Sequence, residues 1–238
     1  MKKTFDNPIE FNEIGKNIIH IRMKDKNSLA KAMFRMQESY ESPFDEIRGK
    51  VFTLGFIKSL GSRGNSGVNT YCGGNNFEAD WSGYNFPSYV LDPFIKGLFD
   101  PLTNEEQDIV EVLRYKQGKF YVIGTYGDDD PAQALEHEIR HAMYYVCDEY
   151  KKEVDKVLKQ YKKTLEPFKK CLLYWGYGEN VLDDECHAYI SADYEVFDEE
   201  YGDDFKKFKV NIPKRLHDRL NCIYKKYKKK IEILGWSY

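Results

Sequence analysis

The sequence predicts a mixed α+β fold: a small sheet packed on a helix that carries an H-E-x-x-H motif, with a helical C-terminal lobe. Three observations predict it. KFYVIGTY (Lys119–Tyr126) is β-branched and aromatic, with turn residues on both sides, as a strand should be. LEHEIRHAMYY (Leu135–Tyr145) follows it with apolar residues at helical spacing. Beyond Cys147 the chain is rich in lysine and reads as a series of helical pieces.

The elements follow in order. NSLAKAMFRMQESY (Asn27–Tyr40) predicts a helix capped by Asn27 or Ser28, with Leu29, Ala32, Met33 and Met36 as its buried stripe. Gly49–Phe52 is expected to be a short strand, and LGFIKSL after it suits either element type. Gly61–Asn76, rich in Gly, Asn and Ser, is expected to be a loop and lacks the GK[ST] of a phosphate cradle. The aromatic stretch WSGYNFPSYVLDPF is expected to pack irregularly against the core. Thr103 and Glu106 form a capping box for a helix whose buried face is Ile109, Val112 and Leu113, and Gly118 ends that element. Asp130, Pro131 and Gln133 then cap the motif helix. That helix should break near Cys147–Asp148, and further helical pieces are expected at Phe168–Tyr174, Asp183–Tyr194 and Leu216–Leu234.

With 238 residues, 42% hydrophobic and 32% charged, the chain reads as one ordinary globular domain. It comprises an N-terminal region (1–60), the Gly-rich loop (61–76) and a core at about 119–194. The net charge of −3 argues neither for nor against nucleic acid. The five cysteines, Cys72, Cys147, Cys171, Cys186 and Cys222, never form CxxC, so reduced thiols and a cytoplasmic location are expected. MKKTFDNPIE has no apolar core of a secretory signal, and no apolar run is long enough to span a membrane.

On the motif helix Leu135, Ile139, Ala142, Met143 and Val146 form one apolar stripe. His137 and His141, four apart, share another face, so both imidazoles can reach one ion. Glu138, one step round, is poised to take a proton from a water on that ion. Such a motif arises by chance in about one chain in a hundred of this composition, and here it falls on a well-capped helix behind the best strand.

His137-Glu138-Ile139-Arg140-His141 resembles the HExxH signature of the zincin metallopeptidases. A strand before the active helix is also similar to that clan, in which an edge strand commonly aligns the substrate. The resemblance covers about a third of the chain. It implies His137 and His141 as zinc ligands and Glu138 as general base. The metzincin extension is absent, since Tyr144 and Cys147 stand at its Gly and last His positions. A gluzincin takes a glutamate from a second helix, and VLDDECHAYISADY offers Glu185, with Asp184, His187 and Asp193 as rivals. Tyr189 stands where the thermolysin type has Asp. Its phenol is a candidate to stabilise an oxyanion, and Asp193 is a candidate to orient a ligand histidine.

The basic segment FKKFKVNIPKRLHDRLNCIYKKYKKK interleaves lysine with aromatics. Leu216, Leu220, Tyr224, Tyr227 and Ile231 nevertheless form an apolar stripe, so the lysines fall on a solvated face and nucleic acid is not the expected partner. The expected function is zinc-dependent hydrolysis of a peptide or protein substrate. A metal-stapled interaction protein and a nucleic-acid-associated protein are the alternatives.

Overall fold

A computed structural model describes residues 9–60, 83–127 and 132–230. It opens on a hairpin, β1 (Glu10–Gly15) and β2 (Ile18–Met23), where the sequence expectations assign nothing. Ile18, Ile19, Ile21 and Met23 are buried, and Asn17 turns the chain at φ 64° with its N–H bonded to Glu13 Oε1 at 3.1 Å. Asparagine tolerates that left-handed conformation better than most residues. α1 (Lys26–Glu41) buries the expected stripe. Its cap is Asp25 rather than Asn27 or Ser28, because the Asp25 carboxylate accepts the Ser28 N–H at 2.8 Å and the Ser28 hydroxyl at 3.1 Å.

Gly49–Phe52 is not a strand, and the chain turns there into α2 (Leu54–Leu60). The aromatic stretch is more regular than expected: it supplies β3 (Tyr84–Pro87), a 3-10 turn and α3 (Leu91–Ile95). α4 (Asn104–Leu113) has the expected capping box, with the Glu106 N–H on Thr103 Oγ1 at 3.0 Å and the Thr103 N–H on Glu106 Oε2 at 2.8 Å. The same Glu106 receives a buried fork from Arg35 of α1, at 2.7 and 2.5 Å. Arg35→Ala would leave that carboxylate buried without its counter-charge. Urea unfolding should record a loss of about 3–5 kcal/mol.

The predicted strand is β4 (Tyr121–Tyr126). Sheet order is β1-β2-β4-β3, with β2 and β4 parallel and the outer pairs antiparallel. The strand before the motif helix is therefore interior, and β3 is the edge beside it. That edge is blunted. The Asn85 N–H is taken by Gln37 Oε1 at 3.0 Å, and Pro87 has no N–H to offer.

The chain continues through α5 (Ala132–Val146), α6 (Asp148–Gln160), α7 (Lys162–Trp175), α8 (Leu182–Ala192), α9 (Phe197–Glu200), α10 (Gly202–Phe208) and α11 (Lys214–Lys230). The break at Cys147 falls as expected, and the piece expected at Phe168–Tyr174 is the end of a longer helix. On α11 Leu216, Leu220, Tyr224 and Tyr227 are buried as expected. The Gly-rich loop, the Asp130–Pro131 cap with the Gln133 side chain, Cys72 and Ile231 lie outside the described residues.

Alternation along β4 divides two cores. Val122 joins α1, α3 and α4 on one face, while Tyr121 and Ile123 join Leu135, Ile139 and Met143 on the other. At Gly124 α1 approaches so closely that a Cβ would lie 2.2 Å from Met33 Sδ. No helix among the described residues is long and apolar enough to cross a membrane.

Candidate metal centre

α5 packs its apolar stripe on the sheet and turns its histidines toward α8. The crossing of the two helices is held by Arg140, an unassigned position inside the motif. Its Nε donates to Ser191 Oγ at 2.9 Å and its Nη2 to the Ser191 carbonyl at 3.2 Å. The guanidinium lies 3.8 Å over the Tyr224 ring of α11, so one side chain ties three helices together.

This crossing brings His137, His141 and Glu185 together, with one donor atom from each inside 4.8 Å of the others. The two Nε2 atoms are 3.0 Å apart, His141 Nε2 is 3.6 Å from Glu185 Oε1, and His137 Nε2 is 3.9 Å from Glu185 Oε2. The rivals for third ligand lie behind the histidines. Asp193 Oδ2 is 2.6 Å from His137 Nδ1, and Asp184 Oδ1 is 3.0 Å from His141 Nδ1. A carboxylate only accepts, so each Nδ1 carries a proton and each Nε2 is left to present a lone pair. Two lone pairs aimed at each other across 3.0 Å require a proton or a cation between them. His187 is turned away, onto Tyr150 and Asp184.

The electrostatics point the same way. Burial pulls His141 down, but the Asp184 and Glu185 carboxylates prevail and raise it well above the ordinary histidine value. Burial pushes Asp184 up, yet His141 and then His187 hold it down at about 2. Burial raises Glu185 well above the carboxylate range against the pull of His141, with the charges of Glu41, Asp184 and Glu138 adding to the rise. Its Oε2 is buried without a hydrogen-bond partner. Imidazole nitrogens and a carboxylate are what zinc takes, and two donors each 2.0–2.1 Å from one tetrahedral ion sit roughly 3.3 Å apart. The residues present fit a divalent cation.

Glu138 is held apart from these donors. Its Oε2 accepts the Asn85 side-chain N–H at 2.5 Å. The amide cannot be the other way round, because the Tyr121 hydroxyl, kept protonated by burial, donates to Asn85 Oδ1 at 2.5 Å. Gly83 completes the cradle, since a Cβ there would lie 2.7 Å from Glu138 Oε1. Both cradle residues belong to the stretch expected to be irregular, and neither carries a motif that sequence reasoning can find. Tyr189 sets its ring edge-on to His137, centroids 4.7 Å apart, and its hydroxyl pairs with that of Tyr177 at 2.8 Å. Burial, with the charges of Tyr201 and Glu185, keeps that phenol protonated.

No protein-family model, curated protein or solved structure matches this chain.

The site also draws on the N-terminal region, outside the expected core. The outward N–H of Asn85 fixes the Gln37 amide, whose Nε2 donates to Glu41 Oε1 at 2.6 Å. Burial pushes Glu41 up to about 8; Gln37 and His141 oppose the rise, and Glu138 and Glu38 add to it. Folded Glu41 therefore keeps its proton across a window in which the unfolded group, at 4.5, has lost it. The folded state binds more protons there, so metal-free stability falls as pH rises through that window. Glu41→Gln should remove the effect. Denaturant melts of chelated protein should show no gain below pH 4.5 and a growing gain up to pH 8, about 5 kcal/mol at most.

Proposed function

We propose that this chain is a zinc-dependent peptidase of the gluzincin kind, acting on a peptide or protein substrate. The observation that carries the reading is a division of labour on one helix. His137 and His141 converge with Glu185 on a single point, while Glu138 between them is kept out of the donor set by Asn85 and Gly83. A zinc ion held by His137, His141 and Glu185 supplies an acidified water and a polarised carbonyl. The chain's own residues do the rest. Asp193 and Asp184 keep the protons of His137 and His141 on Nδ1 and so aim each Nε2. Glu138 takes a proton from water at its carboxylate and returns it to the leaving amine. The Asn85 N–H fixes the orientation of that carboxylate through both transfers. Tyr189, protonated and beside His137, is the group that donates to a developing oxyanion.

An ion that merely staples α5 to α8 is the lesser reading, because Arg140 already locks those helices through Ser191. It also leaves the cradle around Glu138 without a purpose. Lys226 and Lys228 of α11 are paired with Glu153 and Glu136, which lowers the charge that this helix offers a nucleic acid. The test is a peptide library incubated with protein purified without chelator or metal-affinity tag, alongside elemental analysis. About one zinc per chain and chelator-sensitive cleavage are expected. A chain that takes up no transition metal after zinc reconstitution would sink the proposal.

A further inference from the structure

His187 is 0% exposed on α8, its ring stacked on Tyr144 with centroids 5.0 Å apart and edge-on to Tyr150 at 5.5 Å. Its Nδ1 lies 2.9 Å from the Asp184 carbonyl and 3.2 Å from Asp184 Oδ1, and its Nε2 lies 2.9 Å from the Tyr150 hydroxyl. Carbonyl and carboxylate oxygens only accept, so Nδ1 carries the proton. Nε2 then holds a lone pair, and the Tyr150 O–H donates to it. The oxygen that His187 approaches, Asp184 Oδ1, is also the one that takes the His141 N–H at 3.0 Å.

We propose that Tyr150, His187 and Asp184 form a positioning chain that fixes the tautomer and aim of His141, and through it the affinity of the metal centre. This rests on the metal reading above.

A histidine that only fills a core needs its two nitrogens satisfied. It does not need to share the one oxygen that orients a metal ligand. Without a second donor, the Asp184 carboxylate could rotate away from His141. With His187 on its Oδ1 and on its backbone carbonyl, it has a second donor that holds that oxygen in place. The acceptor-only oxygens of Asp184 set the His187 tautomer, and Tyr150 anchors the ring at its other end by donating to the Nε2 lone pair. The links come from α5, α6 and α8, so the packing of α6 bears on a ligand it does not touch.

The test uses the full chain and zinc itself. Zinc affinity is measured by competition with a chromophoric chelator, and the ligand field by the visible spectrum of cobalt-loaded protein. His187→Phe should weaken zinc by about 10–100-fold. His187→Asn keeps an N–H donor for Asp184 and should recover most of the loss, with the cobalt bands returning toward wild type. Tyr150→Phe should lose several-fold. Unchanged zinc affinity in a folded His187→Phe chain overturns the proposal, and so does an equal loss in the Phe and Asn variants, which is what a packing role gives. If His187→Phe does not fold, unchanged affinity in both Tyr150→Phe and His187→Asn, or a His187→Asn loss of 10-fold or more, overturns it. Long-range ¹H–¹⁵N correlations on the metal-free wild type read the His187 tautomer with no ion present. A proton on Nδ1 is expected, and one on Nε2 overturns the chain whether or not zinc binds. A wild type that takes up no zinc overturns the metal reading instead, while the tautomer result still decides the chain.

Discussion

Glu138→Gln should keep its zinc and its fold and lose peptide hydrolysis by about 10²–10⁴-fold. The substitution preserves shape. The new amide can turn its oxygen to the Asn85 N–H, so the bond that holds the side chain survives. Its nitrogen cannot accept a proton, so the transfer from water to leaving amine has no carrier. Zinc content should be unchanged, because His137, His141 and Glu185 converge without Glu138. The measurement is paired elemental analysis and cleavage of the library's best peptide. Equal cleavage by wild type and variant, with zinc bound in both, would remove the peptidase proposal and leave a metal site. Zinc loss in a folded variant would mean that Glu138 is itself a ligand.

Glu185→Gln should change the sign of its effect on stability when zinc is added. In the metal-free chain Glu185 is buried beside other carboxylates, and its carboxyl is raised well above the ordinary 4.5. The folded state therefore holds this proton to higher pH than the unfolded state does, and this lowers stability as pH rises above 4.5. Glutamine carries no such group, so the metal-free variant should melt higher than metal-free wild type at neutral pH. Zinc reverses the order. A ligand at a thousand times its dissociation constant stabilises the wild type by about 4 kcal/mol, and a chain without its carboxylate donor gains far less. Thermal melts of both proteins, with chelator and with zinc, give the four values needed. Parallel shifts in the two chains would show that Glu185 does not bind the ion. The result would also explain why an acid that destabilises the empty fold stands at this position.

Much of α5 was legible in the sequence, because a helix writes its faces into its spacing. Leu135, Ile139, Ala142 and Met143 are buried in the core as their periodicity requires, and His137 and His141 share a face because they are four apart. The Thr103–Glu106 capping box was legible for the same reason: both partners lie within one turn. Local chemistry of this sort needs no knowledge of the rest of the chain.

Which acid joins the two histidines was not settled that way. Asp184, Glu185, His187 and Asp193 lie within three turns of one another, and each has a donor suited to zinc. Residues on a helix step by 100°, so which of them faces α5 depends on how the two helices cross. Arg140 sets that crossing by gripping Ser191 and stacking on Tyr224, contacts between segments far apart in the chain. It turns Glu185 to the Nε2 atoms and puts Asp184 and Asp193 against the Nδ1 atoms, so acids that compete in the sequence become partners in the fold. The cradle of Glu138 is further from prediction still. β3 is four residues long and ends in proline, too short for alternation to show. Asn85 and Gly83 become neighbours of Glu138 because that strand adds to the edge of β4. By itself the sequence determined the helix, its paired histidines and the acid between them. Tertiary packing alone decided which carboxylate joins the histidines and what holds the acid, because those choices rest on long-range crossings that no local period encodes.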